Sequence, residues 1–295
     1  MKNQKKAYLY GLGTIFLWSS VASAIKLSLR WTDSQSLVFY SALVATAFLF
    51  VVLCVQKKVP LLLRFTRREW LFSFFCGLLN PCLFYLFLFM GYDLLPAQQA
   101  MPINYTWGIA LTLLSIPLLG QRVTRGEWLA IAVSYFGVLI IGTKGRPWSL
   151  QFDSLSGVCL LLLSSVIWAL YWILNTRDKR EAVAGLFANF LCALPVLALY
   201  MGLTHGERLW TKFTLQGFAG GVWLGFFEMG IPFVFWLTAL RLTQSTARIA
   251  NLIFLAPVLS LVLISVVLGE KIYPATIVGL GFVLAGLVLQ RFMKH

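Results

Sequence analysis

Charge is scarce in this sequence, and acidic charge is scarcest. Only 12% of its 295 residues are Asp, Glu, Lys or Arg, about half the share of a soluble protein. Ten are acidic against 24 basic, and there are two histidines, of which His295 is the last residue. No acid and base lie paired within the apolar stretches, which argues against a hydrolase or transferase site. No Walker A segment occurs, so ATP is not the expected energy source. The five cysteines (Cys54, Cys76, Cys82, Cys159, Cys192) fall inside apolar stretches without metal spacing. They read as free thiols packed as small hydrophobes. No metal and no cofactor are expected. Polar stretches are short too: those around 144–154, 175–182 and 204–214 cannot bury a core, so no separate soluble domain is expected.

What is there is apolar surface. Hydrophobic residues make up 60% of the chain, and the mean hydropathy is +0.84. Stretches of about twenty apolar residues recur throughout, each long enough to cross a hydrocarbon core ~30 Å thick. The expected fold is an all-α membrane protein of ten transmembrane helices. The spans are read at 7–29, 36–55, 70–92, 97–119, 126–143, 155–175, 183–203, 216–240, 246–268 and 274–293. The start, "MKNQKKAYLYGLGTIFLWSS", mimics a signal peptide. Its apolar run is longer than a ~7–15-residue signal core, and it is read as the first span.

The net charge of +14 would suit nucleic acid, but the positions of the charges do not. Alternating sides place 16 basic residues with both termini and only six on the other face (Arg30, Lys144, Arg146, Arg208, Lys212, Lys271), setting aside Lys26 and Arg248 inside spans. The positive-inside rule then puts both termini in the cytoplasm. Membrane lipid, not nucleic acid, is the expected partner of the basic loops.

The sequence also repeats. Gly269 follows Gly120 by 149 residues, as Gly286 follows Gly137; Gly225 follows Gly77 by 148, and Trp168 follows Trp18 by 150. The chain reads as two five-helix repeats, 1–149 and 150–295. Five is odd, so the second repeat enters the membrane inverted, an arrangement typical of secondary transporters. The triplet Gly269-Glu270-Lys271 ends its span with a helix-stopping glycine and a charged pair at the interface.

The stretches "LWSSVASAIK", "SSVIWALYWILNTR" and "NLIFLAPVLSLVLISVVLGEKIYPATIVGLGFVLAGLVL" resemble the drug/metabolite transporter superfamily, EamA type. The resemblance covers essentially the whole chain. It implies ten helices, cytoplasmic termini and a central cavity walled mainly by helices 1, 3, 4, 6, 8 and 9. The first half departs from the pattern: Gly108 stands near the counterpart of Pro257, and Gln121 replaces the expected glutamate. The run "NYTWGIALTLLSIPLLGQ" is similar to bacterial aromatic amino-acid exporters. The expected location is a bacterial cytoplasmic (inner) membrane.

Glu228 is the sharpest site candidate. A carboxylate near the middle of a span costs about 2.5–3.5 kcal/mol to insert and should face the bundle interior or a wet cavity. Gly221, Gly225, Glu228 and Pro232 share one helical face, and Gly217, Gly221 and Gly225 form two GxxxG steps. Asn80, 148 residues earlier, is its neutral counterpart, with Pro81 loosening the helix. Lys26 and Arg248 lie near span ends, too distant in depth for ion pairs with Glu228 if the helices are straight. Lys26 shares a stripe with Ser19 and Ser23. The second-half counterpart holds Trp168, Trp172 and Asn175, with Tyr171 beside them. Span four carries Asn104, Gly108, Thr112 and Ser115 in line, flanked by Tyr105 and Trp107. These are read as lining a substrate site, against the plainer alternative of helix packing.

The leading reading is a secondary transporter moving a small amphipathic, amino-acid-like metabolite by alternating access, with export expected. Proton coupling through Glu228 and facilitated diffusion both fit. An integral-membrane lipid-modifying enzyme and a channel-like carrier are the alternatives. Monomer and homodimer are both compatible.

Overall fold

The computed structural model describes residues 3–120, 124–149, 151–175, 177–206, 213–243, 249 and 252–292, except for the side chains of residues 127, 205 and 290–292. Among them there is no strand. Apolar surroundings offer backbone groups no water, so each span satisfies its own amides as a helix. Among the described residues, seven helices are long and apolar enough to cross a membrane, and three shorter apolar helices fall at spans five, nine and ten. This is a multi-pass membrane protein.

The helices are α1 (Gln4–Ser28), α2 (Ser34–Val55), α3 (Arg67–Gly77), α4 (Phe84–Leu94), α5 (Ala97–Asn104), α6 (Trp107–Leu119) and α7 (Arg125–Gly142). They continue as α8 (Leu155–Asn175), α9 (Ala182–His205), α10 (Leu215–Phe227), α11 (Ile231–Leu242), α12 (Leu255–Leu268) and α13 (Pro274–Phe292). Polar side chains in the loops start several of them. Asn3, Asp33 and Thr214 accept from backbone N–H groups of α1, α2 and α10. Thr66 and Glu69 form a reciprocal capping box on α3, satisfying donors that the first turn leaves free. At the other end, Gly120 closes α6 and Gly269 follows α12, both in the left-handed region that glycine adopts without penalty.

The spans are not all straight rods. The third breaks between α3 and α4, where Asn80 is extended (φ −141°, ψ 114°) ahead of Pro81. The Asn80–Pro81 bond is cis. Proline removes a helical donor, and its ring disfavours helical geometry in the residue before it. The fourth span breaks at Tyr105 and Thr106, just after Pro102. The eighth breaks at Glu228–Gly230, and Pro232 then sits in the first turn of α11, where its missing N–H costs nothing. Pro232 therefore does not continue the face of Gly221 and Gly225.

The chain forms two compact units, each drawing on both sequence repeats. The first is Met1–Leu86 with Asp178–Leu263. In it α1 packs on α10 and α11, α2 on α9 and α10, and α3 on α9. Small residues set the approach. A Cβ on Gly77 would strike the backbone oxygen of Asn189, and one on Gly225 would lie 2.7 Å from that of Ser41. Gly225 follows Gly77 by 148 residues, and Asn189 follows Ser41 by the same number. One contact is the repeat-equivalent of the other.

The second unit is Phe87–Arg177 with Ile264–His295. Here α8 packs on α5 and α6, and α7 on α13. The α7–α13 crossing brings Gly137 against the Gly279 backbone and Gly286 against that of Ala130. Between them Ser134 donates to the Val283 carbonyl at 3.1 Å. Residue numbers rise along one helix as they fall along the other, so the crossing is antiparallel. Gly137 and Gly286, Ser134 and Val283, and Ala130 and Gly279 are each 149 residues apart. Every contact is matched by its repeat-equivalent here too. Glu270, read from sequence only as an interface charge, accepts from the N–H groups of Ala97 and Gln98 at 3.0 and 3.2 Å. It caps α5 from a distant part of the chain.

Candidate functional site

In the first unit, the interrupted third and eighth spans meet at a hydrogen bond. Tyr85, fully buried in the first turn of α4, donates from Oη to Oε1 of Glu228 at 3.1 Å. The other carboxylate oxygen, Oε2, is buried with no hydrogen-bond partner. Asn80 is fully buried, and neither its Nδ2 nor its Oδ1 has a partner. Glu228 stands at the break itself, capping α10 with its own N–H donating to the Leu224 carbonyl.

The first span completes the surroundings. Thr14 Oγ1 reaches the Tyr10 carbonyl at 2.9 Å and the Pro232 carbonyl at 3.4 Å. Trp18 packs edge-on against Phe233 at 6.1 Å, and its Nε1 is buried without a partner. Ser19 and Ser23 are buried. Ser19 bonds the carbonyl of Phe16 in its own helix, while Ser23 Oγ has no partner. Lys26 is half-buried. Arg248 lies outside the described residues.

In the second unit, Ser165 on α8 donates to the Asn104 carbonyl at 3.0 Å, taking up a group that the break in span four leaves available. Trp168 stacks on Tyr171 at 5.7 Å and meets Trp172 edge-on at 5.8 Å. Ser165, Trp168 and Trp172 lie at i, i+3 and i+7, on one face of α8. Asn104 Oδ1 and Trp172 Nε1 are buried without partners. Tyr105 and Trp107 are half-buried. Thr112 and Ser115 donate to carbonyls four residues back in their own helix, so these bonds tie α6 to itself.

Sequence reasoning missed Tyr85. Its signal was faint: one hydroxyl in the run "FYLFLFM", five residues after Asn80. The repeat-equivalent residue is Phe233, which cannot offer that bond, so the two repeats differ at this point. No cluster of three or more His, Cys, Asp or Glu that would suit a metal occurs among the described residues.

Broken apolar spans with an acidic group inside one of them are features of membrane proteins that carry solutes or ions. The profile of the EamA-like transporter family matches residues 5–143 and 155–291. The chain belongs to that family and is a transporter of the drug/metabolite superfamily. It is similar to an uncharacterized transporter of Archaeoglobus fulgidus, 24% identical over 99% of both chains. An uncharacterized transporter of Clostridium kluyveri is 23% identical over 97% of this chain and 93% of that one. The RarD protein of Salmonella typhi is 25% identical over 68% of this chain and 65% of its own length. A solved crystal structure shares the fold, with a TM-score of 0.66 at 20% identity over 99% of this chain and 100% of that one.

Proposed function

We propose that the protein is a ten-helix secondary transporter built from inverted repeats 1–149 and 150–295. It moves a small amphipathic, amino-acid-like metabolite outward across a bacterial cytoplasmic membrane by alternating access, with both termini in the cytoplasm. Glu228 is the proposed coupling group. The observation that carries this reading is the buried Glu228 carboxylate at the break of span eight, bonded to Tyr85. Discontinuous helices are where secondary transporters place substrate and coupling-ion sites. Asn80, at the equivalent break of span three, supplies a buried donor and acceptor to the same unit. The antiparallel crossing of repeat-equivalent α7 and α13 supports the inverted arrangement. Ser19, Ser23 and Lys26, and in the second unit Asn104, Tyr105, Trp107, Trp168, Tyr171 and Trp172, are the further residues assigned to substrate contact. The similarity of the fourth span to aromatic amino-acid exporters supports the substrate class.

The test is flux of a labelled amino-acid panel in proteoliposomes, with and without a pH gradient. The wild-type protein is expected to show saturable flux driven by the gradient. Glu228→Gln is expected to abolish the drive, and Tyr85→Phe to displace the pH profile. Wild-type rates and pH dependence in Glu228→Gln would remove the coupling role. Absence of flux for every amino acid would discard the substrate class and leave family membership untouched.

A further inference from the structure

The connection between the second and third spans carries charge that no carboxylate among the described residues pairs with. Lys57, Arg64, Arg67 and Arg68 are all exposed, and none forms an ion pair with the described residues. The acidic residues nearby are engaged elsewhere. Glu181 holds Lys58 at 2.8 Å and Arg241 at 3.6 Å. Asp178 holds Arg180 at 2.8 Å. Glu69 accepts from the Thr66 N–H and hydroxyl at 2.7 and 2.8 Å. None of these three carboxylates forms an ion pair with the four exposed cations.

The same segment presents apolar surface. Leu63, in the short 3-10 turn Val59–Arg64, is 88% exposed, and Val55, in the last turn of α2, is 77% exposed. A leucine this bare between cations is ill suited to water and well suited to the boundary where acyl chains meet headgroups. The segment is also anchored at both ends. The Lys58–Glu181 bridge fixes its start, and near its end Phe65 lies under the Arg180 guanidinium, 5.1 Å from ring centre to cation, and against Trp70 at 5.8 Å.

We propose that this segment is a docking site for an anionic phospholipid. Lys57, Arg64, Arg67 and Arg68 face the headgroup phosphodiester, and Val55 and Leu63 lie along the acyl chains. Charge complementarity names the headgroup class, and the exposed Leu63 between the cations names a lipid rather than a free anion. The inference is independent of substrate and coupling.

The test uses the full-length protein in nanodiscs of phosphatidylcholine with a minor share of phosphatidylglycerol. Spin-labelled forms of both lipids report relative association with the protein. The wild-type protein is expected to prefer phosphatidylglycerol. Replacing Lys57, Arg64, Arg67 and Arg68 by Gln is expected to reduce that preference by about fivefold or more. Neutralising Arg30 and Arg146 should leave it unchanged. Leu63→Ser should weaken association of both lipids. Basic loops also steer insertion, so the wild-type protein is measured as well at about 0.1 M and 1 M salt, where screening shortens from ~10 Å to ~3 Å. An undiminished preference in the Gln variant or at high salt would overturn the proposal. So would displacement of phosphatidylglycerol by equimolar inorganic phosphate, which would mark a free-anion site.

Discussion

At the residue scale, the polar side chains of this protein carry consequences out of proportion to their number. Asp178 and Arg180 lie in the loop between α8 and α9. The Arg180 side chain is 5% exposed, paired with Asp178 and bonded to Ser73 and the Glu69 carbonyl. Burial pushes the Asp178 carboxyl up, but the hydrogen bonds and charge of Arg180 outweigh it and hold the group below its usual range. A carboxyl lowered in the folded state stabilises above its unfolded value, ~3.9. That contribution is lost as pH falls through the folded value. Asp178→Asn should therefore flatten the acid limb of a thermal-stability profile below about pH 4. It should also cost roughly 3 kcal/mol at neutral pH, as when one partner of a buried pair is removed. Unfolding in detergent across pH checks both, and an unchanged neutral transition would contradict the role assigned to the pair. The residues at the site were unevenly legible. Glu228 stood out because a carboxylate in an apolar span is costly. Tyr85 did not, because a tyrosine hydroxyl among phenylalanines has no periodic signature and its partner lies 143 residues away.

At the element scale, close approach between helices depends on glycines, because lipid gives apolar helices little hydrophobic reason to associate. Gly77 and Gly225 meet backbone carbonyls at repeat-equivalent contacts. Gly77→Val and Gly225→Val should each lower stability by ~1–3 kcal/mol, as overpacking does, and by similar amounts. Gly281, with open space where a Cβ would sit, should accept Ala with little change. Thermal unfolding of the three variants in one detergent decides the matter; a tolerant Gly225→Val would mean the contact is looser than its geometry. The GxxxG steps at Gly217, Gly221 and Gly225 were readable from spacing alone. Their partners were not: Gly221 meets Tyr40, and Gly225 meets Ser41 and Val44.

At the scale of the whole molecule, the compact units are not the two halves of the sequence. Each unit takes helices from both halves, which tandem order alone does not suggest. The proposed orientation follows from charge. In a cysteine-free background, Arg146→Cys should react with an impermeant thiol reagent in intact cells. Arg64→Cys should react only after permeabilisation. The opposite pattern would invert the proposed topology.

The sequence by itself determined the membrane class, the recurrence of glycines and tryptophans at offsets of 148 to 150 residues, and the carboxylate within an apolar stretch. These are composition and spacing, and they persist however the chain folds. Only the tertiary structure decided which spans break, that Tyr85 bonds Glu228, that Glu270 caps α5, and which helices from the two halves pack together. Each of those is a contact between residues far apart in the chain, or a backbone geometry that neighbouring helices hold in place. No local pattern records them.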